Sequence, residues 1–572
     1  MNQLRPMLVI ALFFVAYLLW QAWDQDYAPH PVSAPVAAAV GSDNGNAPGA
    51  TPSIANTGAE GTASAAQLIT VTTDVLRLTI DTRGGSIVRS ELLDYPVTPR
   101  TKKNPDPAPI RLLDDSASDY FAAQSGLVSA DGAAPDHRAV FQVAQTSYTL
   151  TDGQDALNVD LTWTDPSGIK VVKRYTLHRG SYVIDLDQQI DNGSGKTWDG
   201  NAYRQMQRVD RPVPVYHNFL ERISDQSRYG FFGAVWYSPD QKFNKLAYDK
   251  FEKEPLNLGT PTAGGWVGMM QQYFLGVWIP PAKEADTFSS AIVNNNGAAP
   301  HFVIRTVGPQ ISVAAGQQAT SAAQLYLGPK LPDQLQTIAP GLELTIDYGM
   351  LKIFAEPLHW VLAQLDKITH NWGVSIILLV LLINLVTFKF TNAQFESAAK
   401  MRKLKPRMDA LKERYGDDRQ KMQQAMMDLY KKEKVNPAAG CLPLLITIPI
   451  FYGLYYVLRD SVELRQAPFF GWIHDLSAAD PYFVLPVLYT IVMLAQQWLM
   501  PPAAGMDPTQ QKMMKLMPLV MGYMFYFASS GLVIYWLTGN VVGVAQQWLL
   551  NRGTPPPKVI DVKPVPKKKN RN

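Results

Sequence analysis

Carboxamides set inside apolar runs are the side chains of this sequence best placed to do chemistry. Asn384, Gln496, Gln497, Gln546 and Gln547 interrupt stretches of leucine, isoleucine, valine and methionine. An amide in such a place offers hydrogen bonds to a passing backbone or carboxylate. It is a poor acid, base or nucleophile. Groups that do bond-making chemistry are dispersed. No histidine pairs with another histidine or with a cysteine at metal-ligand spacing, so neither a zinc nor a haem site is expected. Gly195-Lys196-Thr197 has the end of a phosphate loop, but Ile190 stands where that loop requires its first glycine. The flanks read as strands, so a hairpin turn is the better reading. No Gly-x-Ser-x-Gly nucleophile motif occurs, and Gly84-Gly85 and Gly264-Gly265 fit turns rather than a cofactor. The chain is expected to be no enzyme and to carry no cofactor. It must act by binding, by using a gradient, or by lowering a barrier.

The elements that hold these amides are apolar segments over residues 371–390, 438–460, 482–499, 513–528 and 531–550. Each approaches the length needed to span a hydrocarbon core of about 30 Å, which takes roughly 17–25 residues of helix. Pro443, Pro449, Pro486 and Pro518 break them. Prolines and amides at membrane depth persist only where protein or water satisfies the freed polar groups, so the bundle is more than an anchor. A further apolar run within residues 1–27 follows Arg5 and precedes Asp24 and Asp26. It reads as an uncleaved signal-anchor with a cytoplasmic N-terminus. Six spans then return the C-terminus to the cytoplasm.

The 572 residues divide unevenly around these spans. Residues 28–67, rich in Ala, Pro, Gly, Ser and Thr, form a linker that buries too little surface to order. Residues 68–331 alternate apolar and polar side chains between turn signals, as in Tyr182, Ile184 and Leu186 before Asp191-Asn192-Gly193. That pattern predicts a large antiparallel β-sandwich outside the cytoplasm. Cys441 is the single cysteine, so the domain holds no disulfide. Residues 348–370 place Phe354, Leu358, Val361, Leu365 and Ile368 on one helical face, which suits a helix in the membrane interface or one packed on the sandwich. In residues 391–437 the seam Met401, Leu404, Met408, Leu411, Tyr415, then Met422, Ala425 and Leu429, predicts a helical hairpin. Its lysines and arginines outnumber its acids, which places it in the cytoplasm. Residues 461–481 are net acidic and belong outside, and 500–512 form a cytoplasmic loop. The net charge of +3 is too small to argue for nucleic acid as a partner of the whole chain. Its basic tail, 551–572, fits a solvated segment, anionic lipid or ribosomal RNA.

Several longer strings resemble a known family. Asn436-Pro437-Ala438-Ala439-Gly440-Cys441-Leu442-Pro443 is similar to the Asn-Pro-x-x-Gly-Cys-x-Pro motif of the YidC/Oxa/Alb membrane-protein insertases. So are Ser461 to Phe469, Trp472-Ile473-His474-Asp475-Leu476-Ser477 and Ser530-Gly531-Leu532-Val533-Ile534-Tyr535-Trp536. The anchor, linker and β-domain resemble, in layout, the Gram-negative YidC form with its periplasmic β-supersandwich. The resemblance implies an inner-membrane insertase and folding chaperone, working alone or with the Sec translocon. Its partners would be nascent membrane proteins, the ribosome (through hairpin and tail) and lipids. It implies a hydrophilic groove among the five C-terminal spans, open to cytoplasm and lipid. Alignment carries the groove position onto Asn384, where relatives usually have arginine, with Lys389 nearby and Thr447, Tyr535 and Trp536 facing the same site. An ordinary interhelical hydrogen bond is the competing use of such residues. A secondary transporter with a periplasmic carbohydrate-binding domain is the alternative. No inverted repeat and no carboxylate at membrane depth support it.

Charge alone makes the tail testable. Changing Lys567, Lys568, Lys569 and Arg571 together to Ser is expected to weaken ribosome co-sedimentation at low salt and to matter little at high salt. Each lost phosphate contact removes about 0.7–0.9 from the salt slope. An unchanged low-salt affinity leaves the solvated-tail reading.

Overall fold

The computed structural model describes residues 66–102, 104–130, 133–210, 230–294, 299–415, 418–433, 442–499 and 508–553. The signal-anchor, residues 28–65 of the linker, Cys441, residues 500–507 of the expected cytoplasmic loop and residues 554–572 of the basic tail lie outside the described residues. The chain forms two compact units, one of β-structure and one of helices.

The β unit stacks two sheets. One runs in the order Thr262–Ala263, Ala285–Val293, His301–Val313, Trp198–Val209, Phe121–Ser129, Ser86–Pro96, Leu76–Asp81, Leu68–Thr72, Ser147–Thr149, with Pro109–Leu113 beside Ser86–Pro96. The other runs Lys242–Ala247, Gly233–Ser238, Trp266–Met270, Phe274–Ile279, Gln318–Pro329, Val183–Asn192, Ile169–His178, Ala156–Thr164, Gln142–Val143. Pairing is antiparallel except between Leu68–Thr72 and Ser147–Thr149, which run parallel. Alternation sets the faces: Ile184, Leu186 and Ile190 point into the core, while Asp185, Asp187 and Gln189 face away. Gly84 and Gly85 turn the chain with φ of 70° and 58°. A Cβ on Gly84 would sit 2.3 Å from the His137 carbonyl oxygen, so no other residue fits that turn.

The unit extends further than the sequence pattern suggests. After Gln318–Pro329 come helix α1 (Pro332–Ile338) and a short 3-10 turn, and the unit ends at Asp347 rather than 331. It also takes in Asp460–Gln466, the last residue of the apolar segment 438–460 and the start of the loop 461–481. Arg465 Nη2 and Gln466 Nε2 both donate to the Pro96 carbonyl, at 2.9 and 2.8 Å. Nothing in the local pattern of 460–466 signals a partner 370 residues away.

The sandwich interior is unusually polar. Arg204, fully buried, donates to Glu284 at 3.1 Å, Asp286 at 3.2 Å, Ser321 Oγ at 2.9 Å and the Ala322 carbonyl at 2.8 Å. Lys173, also fully buried, donates to the carbonyls of Gly84 (2.6 Å) and Ser125 (2.8 Å) and to Ser125 Oγ (3.1 Å). Its ammonium therefore stitches a turn and the opposite sheet to its own strand. Burial pushes the Lys173 ammonium down to about 7.

The helical unit contains α2 (Lys352–Thr369), α3 (Trp372–Tyr415), α4 (Arg419–Lys432), α5 (Leu442–Asp460), α6 (Val484–Leu499), α7 (Pro508–Phe525) and α8 (Ser530–Gly553). Helix α2 stops at His370, which adopts a left-handed φ of 50°, and Asn371 Oδ1 then accepts from Val374 N at 3.1 Å to start α3. No break separates the apolar segment from the hairpin at residue 390. Helix α3 runs on through the first arm of the hairpin because neither glycine nor proline occurs between Gly373 and Pro406. Leu404, Met408 and Tyr430 close the hairpin core, with Met426, Met427 and Leu429 against it. Asp418 caps α4 by accepting from Lys421 N at 3.1 Å, and the hydrogen bond from the Lys421 side chain holds its carboxyl below the ordinary value. Helix α2 packs through Ala355, His359 and Leu362. Phe354 and Ile368, of the expected apolar stripe, instead lie exposed with Ile353 and Trp360.

Lys173 links fold to pH. Its folded pKa is depressed, so between about 7 and 10.5 the unfolded chain holds a proton that the folded chain has released. Stability must rise with pH across that window, and the burial cost is fully felt below it. Lys173→Met leaves two buried carbonyls without their donor and should destabilise the β unit by about 1–3 kcal/mol. It should also remove the lysine's rise, so that the deficit widens from about pH 6.5 to about pH 9.5 in urea unfolding. A deficit that narrows with pH would contradict the assignment.

Candidate functional site

Helix α8 packs against α6 and α3, and α6 against α7. The outer faces of these helices are apolar and exposed, among them Leu385, Val386, Ile491, Leu516 and Leu549. Water would reject such a surface and hydrocarbon would accept it. Among the described residues, Trp372–Lys389 is long and apolar enough to cross a membrane by length and composition, and Val484–Gln497 is a shorter apolar helix.

Polar and aromatic groups gather on the inner side. Trp536, Asn540, Gly543 and Gln547 recur at four, three and four residues along α8 and so share one face. The Trp536 indole meets Phe451 of α5 edge-on at 4.8 Å, Phe525 of α7 at 5.7 Å and Tyr489 of α6 at 6.5 Å. Tyr535 lies nearly parallel to Phe451 at 6.3 Å. Rings from four helices thus converge on one point. The Trp536 Nε1–H is buried and meets no acceptor among the described residues. One turn on, Asn540 Nδ2 donates to the Trp536 carbonyl at 2.9 Å. A Cβ on Gly543 would lie 3.2 Å from Gln496 Nε2, so the absent side chain makes room for that amide. Gln547 is buried beyond it, and Gln546 Oε1 is buried with no donor among the described residues.

The residues expected from sequence fall unevenly onto this arrangement. Tyr535 and Trp536 are in it. Asn384 is half-buried on α3 and spends its Nδ2 on the Val380 carbonyl one turn back, at 2.8 Å. Lys389 is exposed and forms no ion pair among the described residues. Five residues along a helix is about 7.5 Å of rise and about 140° of rotation, so Lys389 does not share the Asn384 face. Thr447 lies on α5, with its side chain outside the described residues. Phe451, Tyr489 and Phe525 were missed: each looks like an ordinary core or lipid-facing aromatic until the helices are assembled.

One end of the unit is closed by the segment between α5 and α6. The Ser530 and Gly531 amides at the start of α8 donate to the Ala478 and Leu476 carbonyls at 2.7 and 2.8 Å. Asp480 Oδ1 accepts from Trp472 Nε1 at 2.8 Å and from Tyr482 N at 3.0 Å, and Oδ2 accepts from Leu485 N at 2.8 Å. Phe469 presses on Gly373 at the start of α3, where a Cβ would come within 2.2 Å of its ring. Nothing in this geometry holds a metal: among the described residues no cluster of histidine, cysteine and carboxylate occurs.

Comparisons with known proteins agree with this division. Residues 68–361 match the family model of the YidC periplasmic domain, and residues 364–557 match that of the 60Kd inner membrane protein. The membrane protein insertase YidC of Thioalkalivibrio sulfidiphilus is 42% identical over 569 residues, covering 96% of this chain and 98% of its own. That of Methylococcus capsulatus is 43% identical over 558 residues, with the same coverage. A crystal structure of an active YidC insertase with its first transmembrane domain resolved is 17% identical, with a TM-score of 0.37, and covers 85% of this chain and 93% of that one. With two domain models spanning nearly the whole described chain and relatives above 40% identity end to end, the chain belongs to the YidC family of membrane protein insertases.

Proposed function

We propose that this insertase works through a hydrated groove bounded by α3, α6 and α8, closed by the 467–485 segment toward the periplasm and open toward the cytoplasm. The observation that carries this reading is the polar face Trp536–Asn540–Gly543–Gln547, turned inward in a unit whose outside is apolar. The apolar span of a client would slide along the lipid-facing exterior while its short polar flank rests against that face. A charge at the bilayer centre costs at least about 2.5–3.5 kcal/mol on insertion scales. A half-channel shortens the dry path and lowers that cost without nucleotide or cofactor. The Trp536 indole N–H is placed to donate to a passing carbonyl, and the carboxamides can exchange partners as the chain moves.

The same reading places both termini and the hairpin in the cytoplasm and the β unit in the periplasm, with six spans in all. The excess of lysine and arginine over acids in the hairpin supports it. Ribosome and nascent chain would meet the hairpin and the tail, and the Sec translocon and lipids remain partners by family likeness. The β unit would have an accessory role. A transporter has no support: between residues 372 and 390, and throughout α6, α7 and α8, no aspartate or glutamate is available to couple protons.

Asn384 is the position that tests the groove. A neutral amide lacks the long-range pull of a guanidinium in a low-dielectric site. Asn384→Ala removes one hydrogen bond worth about 0.6 kcal/mol in a membrane bundle, so insertion yield should fall less than about threefold. Asn384→Arg should be tolerated and should raise the yield of one-span clients with acidic translocated segments over matched neutral ones. The readout is insertion into liposomes holding the purified protein. If Asn384→Arg blocks both clients, Asn384 is a packing residue and lies outside the groove.

A further inference from the structure

We propose that Asp480 is a positioning residue for insertion: its carboxylate latches the 467–485 segment shut, so the polar face of α8 communicates with one side of the membrane only. The proposal rests on the groove reading above. Asp480 is 1% exposed, and its two oxygens accept the Trp472 indole N–H and the backbone amides of Tyr482 and Leu485. Two of these donors belong to the first turn of α6 and the residues just before it. The third reaches back eight residues to the opposite limb of the loop. A carboxylate there also stabilises the positive end of the α6 dipole.

The latch works together with backbone bonds inside the segment, from Phe469 N to the Ile473 carbonyl at 3.0 Å and from Leu476 N to the Ala467 carbonyl at 3.2 Å. Leu476 and Ala478, which lie between Trp472 and Asp480, present their carbonyls to the first amides of α8, and Ser530 Oγ adds a bond to Ala478 O at 2.9 Å. Phe469, three residues before Trp472, covers Gly373 of α3. The Trp472–Asp480 bond therefore closes a loop whose interior residues cap α8, and it follows closely on the phenylalanine that covers α3. Opening that bond unties the limb that caps α8 from the start of α6 and leaves the segment to its remaining backbone bonds. An aspartate is required because an amide at this position offers one acceptor oxygen for three donors. Losing one charge-assisted hydrogen bond should raise the population of the open loop about tenfold or more.

The test reads sidedness. In full-length protein with Cys441→Ala and the reporter Asn540→Cys on the polar face of α8, a membrane-impermeant maleimide is applied to inside-out and right-side-out vesicles. With Asp480 intact, labelling is expected in inside-out vesicles alone. Asp480→Ala should raise right-side-out labelling about tenfold, and Asp480→Asn should fall between, since it keeps one acceptor. Trp472→Phe keeps an aromatic ring in the loop but loses the donor, and should shift labelling in the same direction without unfolding the unit. If all three variants stay protected from the right-side-out face while the reporter still labels from the other, the latch is wrong and the groove stands. If the reporter already labels from both faces with Asp480 intact, that end is not sealed and the proposal falls. Labelling from neither face overturns the groove reading, and the latch with it.

Discussion

A polar group in hydrocarbon has no water to fall back on, and most of the helical unit follows from that constraint. Each amide carried into the bundle must find protein or a water-lined surface. Asn384 bonds to its own helix, and Asn540 bonds to the carbonyl of Trp536. Gln496 occupies space that Gly543 leaves open. Leu385, Val386, Val541 and Leu549 of the same helices turn outward, where lipid costs them nothing. The polar face of α8 is thus set by the arrangement that leaves fewest polar groups toward lipid, and an insertase needs such a face to lower the barrier for a client's own polar flank.

In the proposed groove, closure at one end is what makes that face useful. An inward polar surface open at both ends would pass ions, whereas one sealed at a single end only shortens the distance a client segment must cross. The proposed seal consists of backbone amides at the starts of α6 and α8, groups every helix start leaves unpaired. Here they are satisfied by the Asp480 carboxylate and by the carbonyls of Leu476 and Ala478. The same atoms that end the helices hold the loop across them.

The β unit solves a different problem, since water surrounds it and its core can be any well-packed mixture. It nevertheless buries Arg204 and Lys173, each hydrogen-bonded across the two sheets. Such groups add little net stability. They have one satisfactory register, because a slip by one residue turns the strand's side chains to the opposite face and leaves their buried acceptors without donors. The Gly84-Gly85 turn, readable from sequence as a turn, is held by Lys173 and by Tyr175, whose hydroxyl donates to the Gly85 carbonyl at 2.6 Å. Those two strand residues look like an ordinary alternating pair in the sequence.

Local periodicity determined much of this protein. Alternation in Val183–Asn192, the three- and four-residue steps through Leu404 and Met408, and the apolar runs holding Asn384 and Gln496 each describe one element and the face it hides. Such patterns state what must be buried and leave the partner unnamed. The tertiary structure decided that Phe451 meets Trp536 from eighty-five residues away, that Arg465 reaches the Pro96 carbonyl, and that α3 continues through residue 390. Lys389 read as a neighbour of the site because it is close in sequence, and helical rotation carried it to another face. Asp480 read as one acid in an acidic loop, and folding gave it three donors. Periodicity arises from the geometry of a single helix or strand, whereas a site is made where several elements meet, and that meeting depends on packing among residues far apart in the chain.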